Sequence, residues 1–442
     1  MPENFIKDLG DGLVLRRAVV QDMDRLITFN GDVHKMPGDE EPNPYIIGWV
    51  TDLMTKDHPT FDPGDFTIVE DTKTGEIVSS LNLINQTWSY AGIEFGVGRP
   101  ELVGTSPEYR NRGLIRAQFE VVHQWSKERG HKVQAITGIP YYYRQFGYEM
   151  CITLGGSQLG YLPHVPKLKD DEVEKYTFRT AVPTDIPFIM EVYETTVKRS
   201  LVSCVRDEAN WRYDVFEKDE RTRAEWVIIE STEKAPVGFL LHGRELWGPI
   251  LTVWGYELKA GASFLDITPS VIRYLAKKGK ELAEKKDDIE FSGYGFELGA
   301  VHPVYDVLPE RMPRVNHPYA WYMRVADIPD FLKLIGPVLE KRMTASPVVG
   351  YNGDLKLSFY RSGVKFSFEE GKLQNCESYL PETGEDGDVL FPDLTFLRVL
   401  FGYTSFDELD RMFPDCFARN DHGRALIKFL FPKQLSNLWA IS

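Results

Sequence analysis

The sequence predicts a mixed α/β protein: two copies of a sheet covered by helices, followed by a smaller α+β layer. Three observations lead there. A β-prone run, a tight basic loop and an amphipathic helix follow one another between Val103 and Trp125. The chain then repeats itself: Leu-Arg-Arg-Ala-Val-Val-Gln-Asp-Met from Leu15 returns as Phe-Arg-Thr-Ala-Val-Pro-Thr-Asp-Ile from Phe178, and the run from Phe66 returns from Trp226, at offsets of 163 and 160. Nearly constant spacing marks a duplicated fold. Beyond Arg324 the pattern changes to short alternating runs (Leu-Lys-Leu-Ser-Phe-Tyr, Val-Lys-Phe-Ser-Phe, Asp-Val-Leu-Phe-Pro-Asp) and late helices near 394–401 and 405–412, an antiparallel sheet with helices on one side.

In the first copy, 13–19 reads as a strand and Asp22 as the cap of the helix that follows. Residues 31–65 read as irregular, rich in proline, glycine and acids. Phe66 to Ile84 reads as a hairpin turning at Lys-Thr-Gly, and 91–97 as another strand. The helix after the basic loop ends near Gly130, and 132–139 is a strand. The order β-α-loop-β-β-β-loop-α gives a sandwich around one central sheet. The proline- and charge-rich stretch 163–175 reads as a linker. In the second copy a helix is expected to begin at Pro269 and Ser270, with no Arg-x-x-Gly before it.

The composition narrows the function. At 442 residues the chain is long enough for two to four domains. A net charge of -15 argues against general nucleic-acid binding and favours cationic partners, or simply keeps the protein soluble. No stretch has the length of a membrane span, and the first residues lack the apolar centre of a signal peptide. Four cysteines (Cys151, Cys204, Cys376, Cys416) lie far apart without metal-ligand spacing, which is expected of reduced thiols in a cytoplasmic protein. His242, His302 and His317 have no metal-like spacing either, so no metal is expected.

The stretch Val-Gly-Thr-Ser-Pro-Glu-Tyr-Arg-Asn-Arg-Gly-Leu-Ile-Arg, from Val103 to Arg116, carries the chemistry. N–H groups at a helix start point one way and the helix dipole adds positive potential, so an anion fits there. Arg110, Arg112 and Arg116 add charge, and Gly113 lets backbone approach a ligand. This loop resembles the acyl-CoA loop of the GNAT N-acetyltransferases, Gln/Arg-x-x-Gly-x-Gly/Ala, with Ile115 in place of the usual small residue. Arg-x-Arg-Gly-Leu-Ile-Arg is nearer to the Eis (enhanced intracellular survival) branch. A second stretch agrees: Tyr143, Phe146, Gly147 and Tyr148 match the Tyr-x-x-Phe-Gly-Tyr of that branch.

The resemblance implies a tandem of GNAT folds, catalytic (1–161) and degenerate (162–323), then a sterol-carrier-like domain (324–442). It implies acetyl-CoA as co-substrate, held by Val103, Gly104, Thr105, Arg110, Asn111, Arg112, Gly113, Leu114, Ile115 and Arg116, with Gly138 and Ile139 on the neighbouring strand. Asn111 stands where relatives commonly have arginine. Tyr143 aligns with the family's general acid. A phenol of pKa about 10 is a usable proton donor to a thiolate whose thiol has pKa near roughly 8.5, and N–H groups around 103–105 could polarise the thioester oxygen. In the family the terminal carboxylate serves as general base, here that of Ser442, although the relatives end in an aromatic residue. The expected acceptor is a primary amine on a cationic aminoglycoside, polyamine or lysine side chain. Asp39, Glu40 and Glu41 either hold its ammonium or form a solvated loop. The resemblance also implies a homo-oligomer, often a hexamer. Two alternatives stand beside the enzyme: a CoA-binding protein without transferase activity, and a lipid carrier working through the last domain.

Overall fold

The structure, a computed structural model, describes residues 6–55, 57–286, 288–382 and 386–441. The first sheet begins with β1 (Ile6–Gly10), β2 (Leu13–Arg17), β3 (Phe66–Asp71), β4 (Glu76–Tyr90), β5 (Ile93–Thr105), β6 (Val133–Ile136) and β7 (Glu149–Leu154). The first five strands pair antiparallel in sequence order, and β6 lies parallel to β5. Side chains alternate across this sheet, as the pleat requires. Val69, Leu81 and Leu83 face α3 (Leu114–Glu128) and pack on Phe119, Val122 and Trp125. Ile68 and Ile84 face the other way, onto Leu26 and Phe29 of α1 (Met23–Val33) and Val50 and Leu53 of α2 (Pro44–Thr55).

α2 lies inside the stretch that reads as irregular. Its start is encoded by Asn43-Pro44. The Asn43 side-chain oxygen accepts from the N–H groups of Tyr45 and Ile46 at 3.1 and 3.3 Å, and proline suits the first helical turn. The prolines and acids just before it mask this signal. Asp22 does stand at the start of α1, but its carboxylate turns back to the Val19 N–H at 2.9 Å and to Arg16 at 2.7 Å.

The second sheet repeats the first. It contains β8 (Ser157–Tyr161), β9 (Tyr176–Thr180), β11 (Glu225–Ser231), β12 (Pro236–His242), β13 (Ile250–Leu258), β14 (Gly293–Phe296) and β15 (Arg314–Asn316). A short strand, β10 (Val202–Cys204), leaves this half and pairs with β4. α4 (Ile186–Arg199) corresponds to α1. The helix corresponding to α3 runs from Phe264 to Ala283, five residues ahead of the expected start, because Ser263 caps it by accepting from Asp266 N–H at 3.3 Å. Pro269 sits inside it.

The two sheets trade a strand. In the first, β16 (Tyr319–Val325) lies between β6 and β7, antiparallel to both. In the second, β8 lies between β14 and β15 in the same way. Thus β7 is followed in the chain by a strand of the other sheet, and β15 by a strand that returns to the first. Divisions at 161 and 323 divide the sequence, while the sheets cross them.

The third unit has a five-stranded sheet, β17 (Gly353–Ser358), β18 (Gly363–Glu369), β19 (Lys372–Tyr379), β20 (Val389–Leu390) and β21 (Phe417–Ala418). Its core continues into the first sheet: Phe331, Phe366, Phe396 and Leu400 belong to one buried cluster with Trp88, Phe95 and Trp321. The hollow beside β17 and β20 is lined by Asp354, Lys356, Asp386, Asp388, Arg419 and Asn420, which suits water rather than an acyl chain. All four cysteines are buried and free. No described helix is long and apolar enough to cross a membrane, and the described residues contain no cluster of three or more metal-ligating side chains.

Candidate active site

β5 and β6 share only a short parallel stretch, Val97 with Val133 and Gly98 with Gln134. β5 then runs on to Thr105 while β6 stops at Ile136, so the sheet splays open. A cleft of about 910 Å³ fills the gap. The end of β5 is bulged. Ser80 pairs with Gly104 and Asn82 with Glu101, leaving two residues opposite one, and Leu102 takes a positive φ of 52°. A bulge interrupts the ladder and re-aims the groups beside it. Here it turns Glu101 to Thr105 into the cleft wall.

The basic loop forms the other wall. Asn111 (φ 63°) and Gly113 (φ 77°) adopt left-handed backbone conformations that fold residues 106–113 tightly into α3. The first internal bond of the helix runs from Ala117 N–H to Gly113 O at 3.0 Å. The N–H groups of Leu114, Ile115 and Arg116 precede it and have no acceptor within the helix. Arg112 lies over the Tyr109 ring at 5.0 Å and Arg116 over Phe146 at 5.3 Å. Arg110 Nε donates to Thr105 O at 3.2 Å. Three guanidiniums, free N–H groups and a helix start form an anion cradle. Val103, Gly104, Thr105, Arg110 to Arg116, Gly138 and Ile139 all line this one cleft, as does Tyr143.

Tyr143 is buried among aromatic rings, with Phe119 at 6.1 Å, Tyr142 at 5.3 Å and Tyr322 of the exchanged strand at 5.6 Å. A Cβ built on Gly138 (φ 120°) would stand 3.3 Å from the Tyr143 hydroxyl, so glycine keeps that approach open. Burial pushes the phenol's pKa up, and Glu101, Tyr142, Tyr322 and Tyr319 add to the shift. Tyr143 therefore holds its proton firmly.

Two cleft residues, Glu101 and His34, escaped the sequence reading. Glu101 is 6% exposed and pairs with Arg99 at 2.7 Å. Burial raises its pKa, and Arg99 opposes the shift. His34, at the end of α1, meets Asn30 O through Nδ1 at 3.1 Å, and burial lowers its pKa. Trp49 of α2 lines the acceptor side. Asp39, Glu40 and Glu41 are exposed and lie outside the cleft lining. Ser442 lies outside the described residues. Its neighbour Ile441 is buried, and its carbonyl accepts from Gln86 Nε2 at 2.6 Å and from Arg99 Nη1 at 2.5 Å. The last segment thus arrives beside the Arg99–Glu101 pair.

The second sheet splays at the corresponding place, between β13 and β14. The opening shrinks to about 230 Å³. It is occupied by Glu257 bound to Arg199 at 2.6 Å, with His302 3.5 Å away. There is no basic cradle in it.

Residues 15–151 match the model of the acetyltransferase (GNAT) domain. The whole chain is similar in fold to several solved structures. A protein of unknown function from Enterococcus faecalis, described as a probable N-acyltransferase, has a TM-score of 0.67 at 13% identity over 96% of this chain and 97% of that one. A GCN5-related N-acetyltransferase from Kribbella flavida has a TM-score of 0.62 at 17% identity over 97% and 100%. Eis1 from Mycobacterium abscessus has a TM-score of 0.58 at 13% identity over 96% and 98%. No curated protein matches the chain. Residues 15–151 are an acetyltransferase domain of the GNAT type. In class the protein is an N-acetyltransferase, and such domains generally use acetyl-CoA.

Proposed function

We propose that the protein moves the acetyl group of acetyl-CoA to a primary amine, which arrives as an ammonium, and that the amine attacks the thioester directly. The observation that carries this is convergence in one cleft: the Arg-x-x-Gly loop, a buried protonated phenol and a buried carboxylate. Acetyl-CoA supplies the activated acyl group. Arg110, Arg112, Arg116 and the free N–H groups of α3 would hold its phosphates. Glu101 accepts the proton of the ammonium, and burial, which raises its pKa, makes it a stronger base than an ordinary carboxylate. Backbone N–H groups of the bulged 103–105 segment stabilise the oxyanion. As the C–N bond forms and the C–S bond breaks, Tyr143 gives its proton to the leaving thiolate. The carboxylate of Ser442 is the second candidate base, because Ile441 is anchored on Arg99. Residues added after Ser442 would disable that base and leave Glu101 in place.

In this proposal 162–323 is a non-catalytic copy and 324–442 a structural sterol-carrier-like unit in a cytoplasmic homo-oligomer. Sedimentation velocity measures the assembly. The central test is CoA release from acetyl-CoA with amines. Tyr143→Phe should lower kcat about 100-fold or more while acetyl-CoA still binds by calorimetry. Unchanged turnover in that variant would return Tyr143 to a structural role.

A further inference from the structure

The acceptor side of the cleft is mostly apolar. Val33 ends α1, Ile46 and Trp49 stand on α2, and Leu102 stands at the bulge. One carboxylate, Glu101, lines that side, and Arg99 already neutralises it at 2.7 Å. Among the described lining residues, the remaining formal charges are the three guanidiniums of the donor side, which face the phosphates of acetyl-CoA in this proposal. The acids that could have gathered extra ammonium groups, Asp39 to Glu41, lie outside the cleft.

A second or third ammonium on the substrate would enter this space without a counter-charge. It would lose water with no further carboxylate among the described residues of the acceptor wall to replace it. Among the described residues a single ammonium has one carboxylate partner, Glu101, and gives up its proton there. The rest of the molecule meets hydrocarbon and indole surface, where apolar area is favoured.

We infer that the acceptor is a primary monoamine with an apolar or aromatic body, and that polyamines and aminoglycosides are poor acceptors. This rests on the acetyl-transfer assignment above and narrows it. The full-length protein should be assayed for CoA release with ethylamine, butylamine, hexylamine and 2-phenylethylamine, beside spermidine, kanamycin and a lysine peptide. Across the alkylamines kcat/KM should rise, with a ceiling of about fourfold per methylene. 2-Phenylethylamine should exceed spermidine about tenfold or more, as one uncompensated charge implies. Trp49→Ala should raise KM for 2-phenylethylamine and leave acetyl-CoA affinity by calorimetry unchanged, which also shows that the variant is folded. A preference for spermidine or kanamycin would overturn the inference and leave acetyl transfer standing. No release with any amine would overturn both.

Discussion

Gln118 Nε2 donates to Ser79 Oγ at 2.7 Å, tying the start of α3 to β4 deep beneath the cleft. Ser79 Oγ in turn reaches Gly104 O at 2.9 Å and the Thr105 hydroxyl at 2.8 Å, and Thr67 donates to the Gln118 carbonyl at 3.0 Å. Both walls of the cleft are thus fastened to one buried amide. Gln118→Leu removes two buried hydrogen bonds, to Ser79 and from Thr67, and should cost about 1–3 kcal/mol of stability. It should also weaken acetyl-CoA binding severalfold while the arginines remain, with denaturant titration and calorimetry as the measurements.

Glu101 should set the acid limb of the rate. Its raised pKa means that it takes up a proton above the usual carboxylate range as pH falls, and kcat/KM should fall with it. Glu101→Gln should be slow at every pH and lose that limb. A mutant profile that keeps the wild-type limb would transfer the base role elsewhere, with Ser442 next in line. Tyr143, whose pKa is raised by burial, should impose no loss at mildly alkaline pH.

Three histidines, His58 buried and His123 and His131 half-buried, should make the fold acid-sensitive. Burial depresses the pKa of His58 and His123 to about 3 and of His131 to about 4, with Lys218, Arg324 and Arg129 adding to the respective shifts. The folded state keeps them neutral, so the unfolded chain protonates first. Stability is intact above the ordinary value of 6.5 and is lost as pH falls from there towards 4. Each contributes up to about 1.4 kcal/mol per pH unit. Urea midpoints at pH 7 and 5 should differ clearly, and His123→Gln should shrink the difference.

Gly104 seats the end of α1 against the bulge. A Cβ there would stand 2.6 Å from Val33 Cγ1, so Gly104→Ala must displace α1. Acetyl-CoA affinity should drop, and Val33→Ala should restore part of it in the double variant.

The exchange of β8 and β16 predicts that residues 1–161 fail to fold alone. They lack the strand between β6 and β7. Co-expression with residues 162–442 should recover soluble protein; a folded, monomeric 1–161 fragment would contradict the pairing.

What the sequence disclosed was local chemistry. Arg110 to Arg116 announce an anion cradle because charge, glycine and helix start are adjacent in the chain. Tyr143 is announced by its neighbours Phe146 to Tyr148. Glu101 was not legible, because the bulge at Leu102 breaks the alternation that tells which strand residues face inward. α2 was hidden by the prolines and acids preceding its Asn43 cap. The repeat was legible from its spacing, but the strand exchange was not, since similar segments in sequence say nothing about which copy of a strand pairs with which neighbour.

That exchange also sets a timetable. β7 leaves the ribosome early, but its partner β16 follows about 165 residues later. At about 5–20 residues per second, the nascent chain waits on the order of 8–30 s with the edges of β6 and β7 unpaired. Catalytic competence is therefore deferred until the second sheet has emerged, and during that interval the exposed edges are an opening for chaperones or for mispairing.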